Sequence, residues 1–180
     1  MAASNDTEIV SALKEDAGKG FRMLMAKYKE PVYWHIRRLV VSHDDAQDAA
    51  QETFVRVFRS FRQFKGGCPL GAWIYRIATN EAMRVLERRR EGRLSLDDPE
   101  AGADALMADG YVDYSDLEAV KLQKAILSLP ARQQLAFNLR YYDGLGYDEI
   151  AVITDSTAAN VKANYHIAKE KIIKYMNSTD

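Results

Sequence analysis

Trp73, Ile74, Tyr75 and Arg76 stand side by side in this chain, followed by Asn80 and then by Arg84, Arg88, Arg89 and Arg90. Flat rings stack on exposed bases, amide and guanidinium groups bond base edges, and a run of cations attracts phosphates. Together these types make a surface for single-stranded nucleic acid. Trp73, Ile74, Ile77, Ala78 and Val85 also follow the helical period, so the buried stripe of an amphipathic helix accounts for most of them. Tyr75, Arg76, Thr79 and Asn80 fall off that stripe, next to the arginines, and are the residues left to meet a ligand.

The elements that must hold this surface read as helices throughout. Apolar positions at helical spacing mark Glu8 to Ala17 and Phe21 to Arg38. Ser42 with Asp45 resembles a capping box, after which Ala46, Ala50, Phe54, Val57, Phe58, Phe61 and Phe64 form one long apolar face. The opposite face carries Asp48, Gln51 and Glu52, then Arg56, Arg59 and Arg62. Gly66, Gly67 and Pro69 break the chain before the Trp73 helix. Farther on, Gln123 to Leu129 and Ala131 to Tyr142 are separated by Pro130, and Asp143-Gly144 is a turn. Tyr147 to Ile153 is a short helix, Thr154 to Ser156 a second turn, and Thr157 caps a last helix to about Met176. Short helix, tight turn and longer helix bearing Lys162, Asn164, His166, Lys169 and Lys171 is the layout of a helix-turn-helix, with a plain helical hairpin as the simpler alternative. An all-α chain follows, since no segment alternates with the strand period.

Charge divides it. Residues 56–93 hold 10 Lys/Arg against 3 Asp/Glu, and residues 94–118 hold 8 Asp/Glu with no Lys/Arg, although the 180-residue chain sums to only -1. The acidic stretch also carries Pro99, Gly102 and Gly110 and reads as a solvated, flexible linker, with a short turn at Asp104 to Met107 as its one helical alternative. Two small helical domains are expected, 1–93 and 119–180, joined by 94–118. Composition, 47% hydrophobic, suffices for both cores. No apolar run approaches the ~20 residues that span a bilayer and no secretory segment opens the chain, so a cytoplasmic location without membrane insertion is expected. Cys68 is the single cysteine and cannot close an intrachain disulfide; its loop suggests a space-filling thiol before a redox sensor. His35, His43 and His166 are scattered, so neither a metal nor another cofactor is expected. The chain lacks a Gly-rich phosphate loop, a nucleophile with a placed base, and paired carboxylates beyond the surface set near Asp44, which argues against an enzyme.

Several blocks in order now carry a resemblance: Tyr28; Asp48 with Gln51-Glu52 and Phe54; Phe64-Lys65-Gly66; Trp73-Ile74-Tyr75-Arg76-Ile77-Ala78 and Asn80; then Leu129-Pro130, Leu139-Arg140-Tyr141-Tyr142, Gly144-Leu145, Tyr147 to Ala151 and Val161-Lys162. The chain resembles the extracytoplasmic-function RNA polymerase sigma factors, over region two (about 21–92) and region four (about 119–176). The resemblance implies a promoter-specific initiation factor that binds core RNA polymerase through the beta-prime clamp and the beta flap. Its polymerase contacts would be Asp48, Gln51, Glu52 and Arg56. The melted minus-ten strand would meet Lys65, Gly67, Trp73, Tyr75, Arg76, Asn80, Arg84 and Arg88, and duplex at the minus-thirty-five element would meet Thr157, Asn160, Lys162, Asn164, His166 and Lys169. An anti-sigma factor is the further expected partner, beside polymerase and promoter DNA.

Departures from the pattern fall in the reading elements. Asp155 and Ser156 stand where relatives commonly have a glycine and an apolar residue, and Asn164 and Ile167 replace usual arginines. Gly66 to Gly71 is poor in polar side chains. No particular promoter sequence is therefore carried over. A stand-alone helix-turn-helix regulator is the alternative reading; it explains residues 130–176 and leaves the N-terminal arginine and aromatic face without a role.

Overall fold

The computed structural model describes residues 5–96 and 115–178, which form helices with no strand among them. Most of the acidic linker, with the turn at Asp104 to Met107, lies outside the described residues. The chain divides into two units, residues 1–89 and 90–180.

In the first unit, α1 (Asp6–Glu15) opens on a capping box in which the Asn5 side chain accepts from Glu8 N–H at 2.9 Å and Glu8 answers to Asn5 N–H at 3.3 Å. Asp16 ends α1 and caps α2 (Ala17–Val40), accepting from Gly18 and Lys19 N–H. Helix α2 thus begins earlier than apolar spacing suggested, because two of its first residues are glycines with no side chain to show a period. Gly20 has a packing reason: a Cβ there would lie 2.4 Å from the backbone nitrogen of Leu13, so α1 and α2 cross in backbone contact.

A corner at Val41-Ser42 leads to α3 (His43–Ser60), and a single 3-10 turn (Phe61–Gln63) and the loop 64–69 lead to α4 (Leu70–Leu96). Ser42 Oγ accepts from Asp45 N–H at 3.3 Å, which is one half of the capping box expected there; the Asp45 carboxylate instead pairs with Arg89 of α4. The core runs between the helices through Ile9, Leu24, Val32, Ile36, Val57, Ile74 and Ala78. Phe58, expected on the buried face of α3, is 47% exposed, with its ring 5.1 Å from Phe21.

The second unit comprises α5 (Leu117–Leu127), α6 (Ala131–Tyr141), α7 (Tyr147–Thr154) and α8 (Ala158–Asn177). Asp116 caps α5 through Ala119 N–H, and Thr157 caps α8 through Asn160 N–H at 3.2 Å. Ala125, Ile126, Leu129, Phe137, Ala168 and Ile172 form its core. Arg140 ties α6 to α7: it donates to the Leu145 carbonyl at 3.0 Å and lies 4.7 Å from the Tyr147 ring centre.

Candidate nucleic-acid interface

Helix α4 presents Arg76, Asn80, Arg84 and Arg88, all exposed, at intervals of four residues. That spacing places them on successive turns of one side, as a ridge of cations broken by one amide. At its N-terminal end lies the loop of exposed Lys65, Gly66 and Gly67. Gly66 holds φ 76, which favours glycine, and nothing approaches within 4 Å of where a Cβ on either glycine would lie. A backbone strand can therefore come close to this loop unopposed.

The aromatic residues are placed differently from the expectation. Tyr75 is only 6% exposed and its ring lies 5.1 Å from His35, so it belongs to the core and is withdrawn from the exposed face; Thr79 is buried with it. Helix α4 buries a wider arc than one apolar stripe, because polar partners on α2 and α3 satisfy its inward polar groups. Thr79 donates to the Tyr75 carbonyl at 2.8 Å and meets His35 Nε2 at 2.8 Å. Trp73 is half-buried with Phe64 at 5.2 Å, walling a cavity of about 400 Å³ with Leu13, Lys14, Arg62 and Leu70.

Glu81 was not singled out in the sequence, and it organises two residues that were. It is buried, and its Oε1 lies 2.6 Å from Arg56 Nε and 2.6 Å from Arg84 Nη1. Arg56 also lies 3.3 Å from Glu52. Glu52 and Arg56 thus face α4, apart from Asp48 and Gln51. The only sequence signal for this cluster was the charge pairing at i,i+3 and i,i+4 (Glu81–Arg84, Glu52–Arg56).

Asp48 and Gln51 line a groove of about 1580 Å³ between α2 and α3, with Phe21, Met25, Phe54 and Phe58. Trp34 lies on the α2 side at 42% exposure. Large exposed rings beside a carboxylate and an amide make a surface with an apolar floor and a polar rim.

In the second unit, α7, a turn and α8 form the helix-turn-helix. Asp155 ends α7 in the left-handed region, φ 52 and ψ 53, and Ser156 N–H bonds the Ala151 carbonyl at 2.9 Å. The residue that departs from the usual glycine still makes its turn, since Asp tolerates that conformation. Along α8, Val161, Ala168 and Ile172 are buried, while Asn160, Lys162, His166 and Lys169 are exposed and Asn164 is half-buried. Lys169 Nζ rests 5.5 Å from the Tyr165 ring centre. Thr157 Oγ1 accepts from Asn160 N–H as the cap of α8, and the residue itself is exposed.

Comparison with known proteins matches residues 24–92 to Sigma-70 region 2 and residues 119–172 to Sigma-70 region 4. The RNA polymerase sigma-H factor of Pseudomonas aeruginosa is 28% identical, over 97% of this chain and 95% of its own. The ECF RNA polymerase sigma-E factor of Escherichia coli K12 is 29% identical, over 93% and 92%. The fold is similar to CnrH in complex with the cytosolic domain of CnrY (TM-score 0.73, 18% identity, 97% of this chain and 99% of that one). It is also similar to the sigma factor RpoE in complex with the anti-sigma factor NepR from Bartonella quintana (TM-score 0.68, 22% identity, 90% and 99%).

Proposed function

We propose how this chain, which belongs to the extracytoplasmic-function RNA polymerase sigma factors and directs transcription initiation, divides that task among its surfaces. Core polymerase docks on the α2–α3 groove, with Asp48 and Gln51 offering carboxylate and amide to cations of the beta-prime clamp and Trp34 and Phe58 covered by it. Arg56 and Glu52 support α4 through Glu81 and touch polymerase less.

The melted minus-ten strand follows the ridge Arg76, Asn80, Arg84 and Arg88, entering beside Lys65 and Gly67. Tyr75 takes no part, and Trp73 offers at most a ring edge next to Phe64. The α8 face of Lys162, His166 and Lys169, with Thr157, Asn160 and Asn164 at its start, reads the minus-thirty-five duplex while the second unit meets the beta flap. Residues 1–93 and 119–180 act as the two domains on either side of the 94–118 linker. An anti-sigma factor that restrains the protein is a further proposed partner, suggested by the anti-sigma factor NepR in complex with RpoE. The proposed location is the cytoplasm; among the described residues no helix is long and apolar enough to cross a membrane.

The observation that carries this reading is the α4 ridge beginning at an open glycine loop. Bases become available to it only after the duplex melts, so loss of a base contact penalises the open complex selectively, at ~0.5 to 1.5 kcal/mol per hydrogen bond. With reconstituted polymerase, Asn80→Ala is expected to transcribe poorly from a duplex promoter and to recover on a template with a pre-melted bubble. Equal defects on both templates would remove the ridge from melting. Tight duplex binding without polymerase, together with no core binding, would favour a stand-alone regulator.

A further inference from the structure

The arginine run at the end of α4 does not present one face. Arg88 and Arg90 are exposed, whereas the Arg89 side chain is 26% exposed and turns inward. One arm of its fork donates to the carbonyl of Val40, the last residue of α2, at 2.6 Å; the other pairs with Asp45 in the first turn of α3. Between the two acceptors lies the α2–α3 corner. Its Val41 holds φ 67 and ψ -49, a region that a β-branched residue enters only under strain, and its side chain is buried. Val40 O also accepts from Ser42 N–H at 2.8 Å.

We propose that Arg89 is a positioning residue for polymerase docking and not a phosphate contact. Its two-armed donor clasps both sides of the strained corner, which fixes the direction in which α3 leaves α2. That direction sets the shape of the groove and the placement of Asp48 and Gln51 on its rim. The clasp also joins the docking helix to the DNA-binding helix α4. A lysine has a single ammonium and no planar fork with which to hold both acceptors.

The proposal rests on α3 being the docking helix, so its test carries controls for that reading. Core polymerase affinity, thermal unfolding, and the salt dependence of promoter binding by the holoenzyme are measured for Arg88→Ala, Arg89→Ala, Arg89→Lys, Asp45→Ala and the Arg89→Ala/Asp45→Ala pair, with Gln51→Ala as the docking control. Arg89→Ala and Arg89→Lys are each expected to lower core affinity, the former about tenfold, with an unchanged salt slope. Arg88→Ala should do the reverse, lowering the log–log salt slope by about one without altering core affinity. Asp45→Ala should reproduce much of the core-binding defect, and the pair should be no worse than Arg89→Ala alone. Wild-type core affinity in Arg89→Lys, or a reduced salt slope with intact core affinity in Arg89→Ala, overturns the clasp. Should Gln51→Ala bind core like wild type while Arg89→Ala does not, the docking surface is misplaced but the corner clasp stands. A loss in Gln51→Ala with none in Arg89→Ala removes the clasp alone.

Discussion

His35 Nε2 donates to Thr79 Oγ1 at 2.8 Å, and the direction is fixed by Thr79, whose one hydroxyl proton goes to the Tyr75 carbonyl. Nε2 therefore carries a proton. Burial, and then the Arg38 charge, lower its pKa from 6.5 to about 3.

That shift makes the first unit acid-sensitive. An unfolded chain takes up a proton on His35 near pH 6.5, and the folded one resists until about 3. Between those values the unfolded state binds more protons, so stability is full above 6.5 and falls as pH drops through the window, by about 1.4 kcal/mol per pH unit at most. His35→Gln keeps an amide donor for Thr79 and does not titrate. Its unfolding free energy should be flatter than wild type between pH 6.5 and 4; an identical slope would show that other groups set the acid response.

What the sequence made legible follows from what a period can report. In helix α8 a period can report the inward side, because the buried Val161, Ala168 and Ile172 recur at the helical spacing with exposed polar groups between them. Helix α4 misled at Tyr75 and Thr79, since a period cannot report that polar residues point inward to partners far along the chain, here His35. Glu81 and Arg89 were hidden for the same reason: their partners Arg56, Val40 and Asp45 are distant in sequence. The groove was missed because Phe58 looked like core by spacing, and only the assembled packing of α2 on α3 leaves it open.

Gly20 should be among the least replaceable residues of the first unit. Its missing Cβ would fall 2.4 Å from Leu13 N and 2.5 Å from Leu13 Cα, and backbone cannot swing aside as a side chain would. Gly20→Ala must separate α1 from α2, at roughly 1–3 kcal/mol for overpacking. Thermal unfolding of the variant should show it, with α8-dependent DNA contacts untouched; a melting temperature equal to wild type would mean the crossing is looser than described.

Gly67 invites the opposite expectation. Nothing lies within 4 Å of its would-be Cβ and its φ lies outside the left-handed range, so Gly67→Ala should leave folding and core binding intact. A strand of DNA passing this loop would meet the new methyl group, and opening of a duplex promoter should fall. Gly66→Ala, at φ 76, also strains the backbone and should lose stability by about 1 kcal/mol. Normal promoter opening by Gly67→Ala would place the strand elsewhere.

Asn138 of α6 is fully buried, and neither Oδ1 nor Nδ2 has a hydrogen-bond partner among the described residues. An amide in that state costs roughly 1–3 kcal/mol against an apolar residue of similar volume. Asn138→Leu should therefore raise the melting temperature of the second unit without changing its fold. A lower melting temperature would mean that the amide is satisfied in solution.

Lys162, His166 and Lys169 are all exposed along one side of α8, about 100° around the helix from the buried Val161, Ala168 and Ile172. Spacings of four and three let them meet a major groove together. They should not do the same work. Lys162 and His166 lie nearer the N-terminus of α8, the end of a recognition helix that reaches base edges. Lys169 is a turn farther on, its ammonium 5.5 Å from the Tyr165 ring centre, and is expected to meet a phosphate in place of a base. With polymerase present, exchanging Lys162 and His166 for each other should change which minus-thirty-five sequence is preferred across a set of promoter variants. Lys169→Ala should weaken every promoter alike and lower the log–log salt slope by about one. Should the exchanged variant keep the wild-type ranking of promoters, this face of α8 is not the reader, and the half-buried Asn164 with the exposed Asn160 becomes the next surface to test.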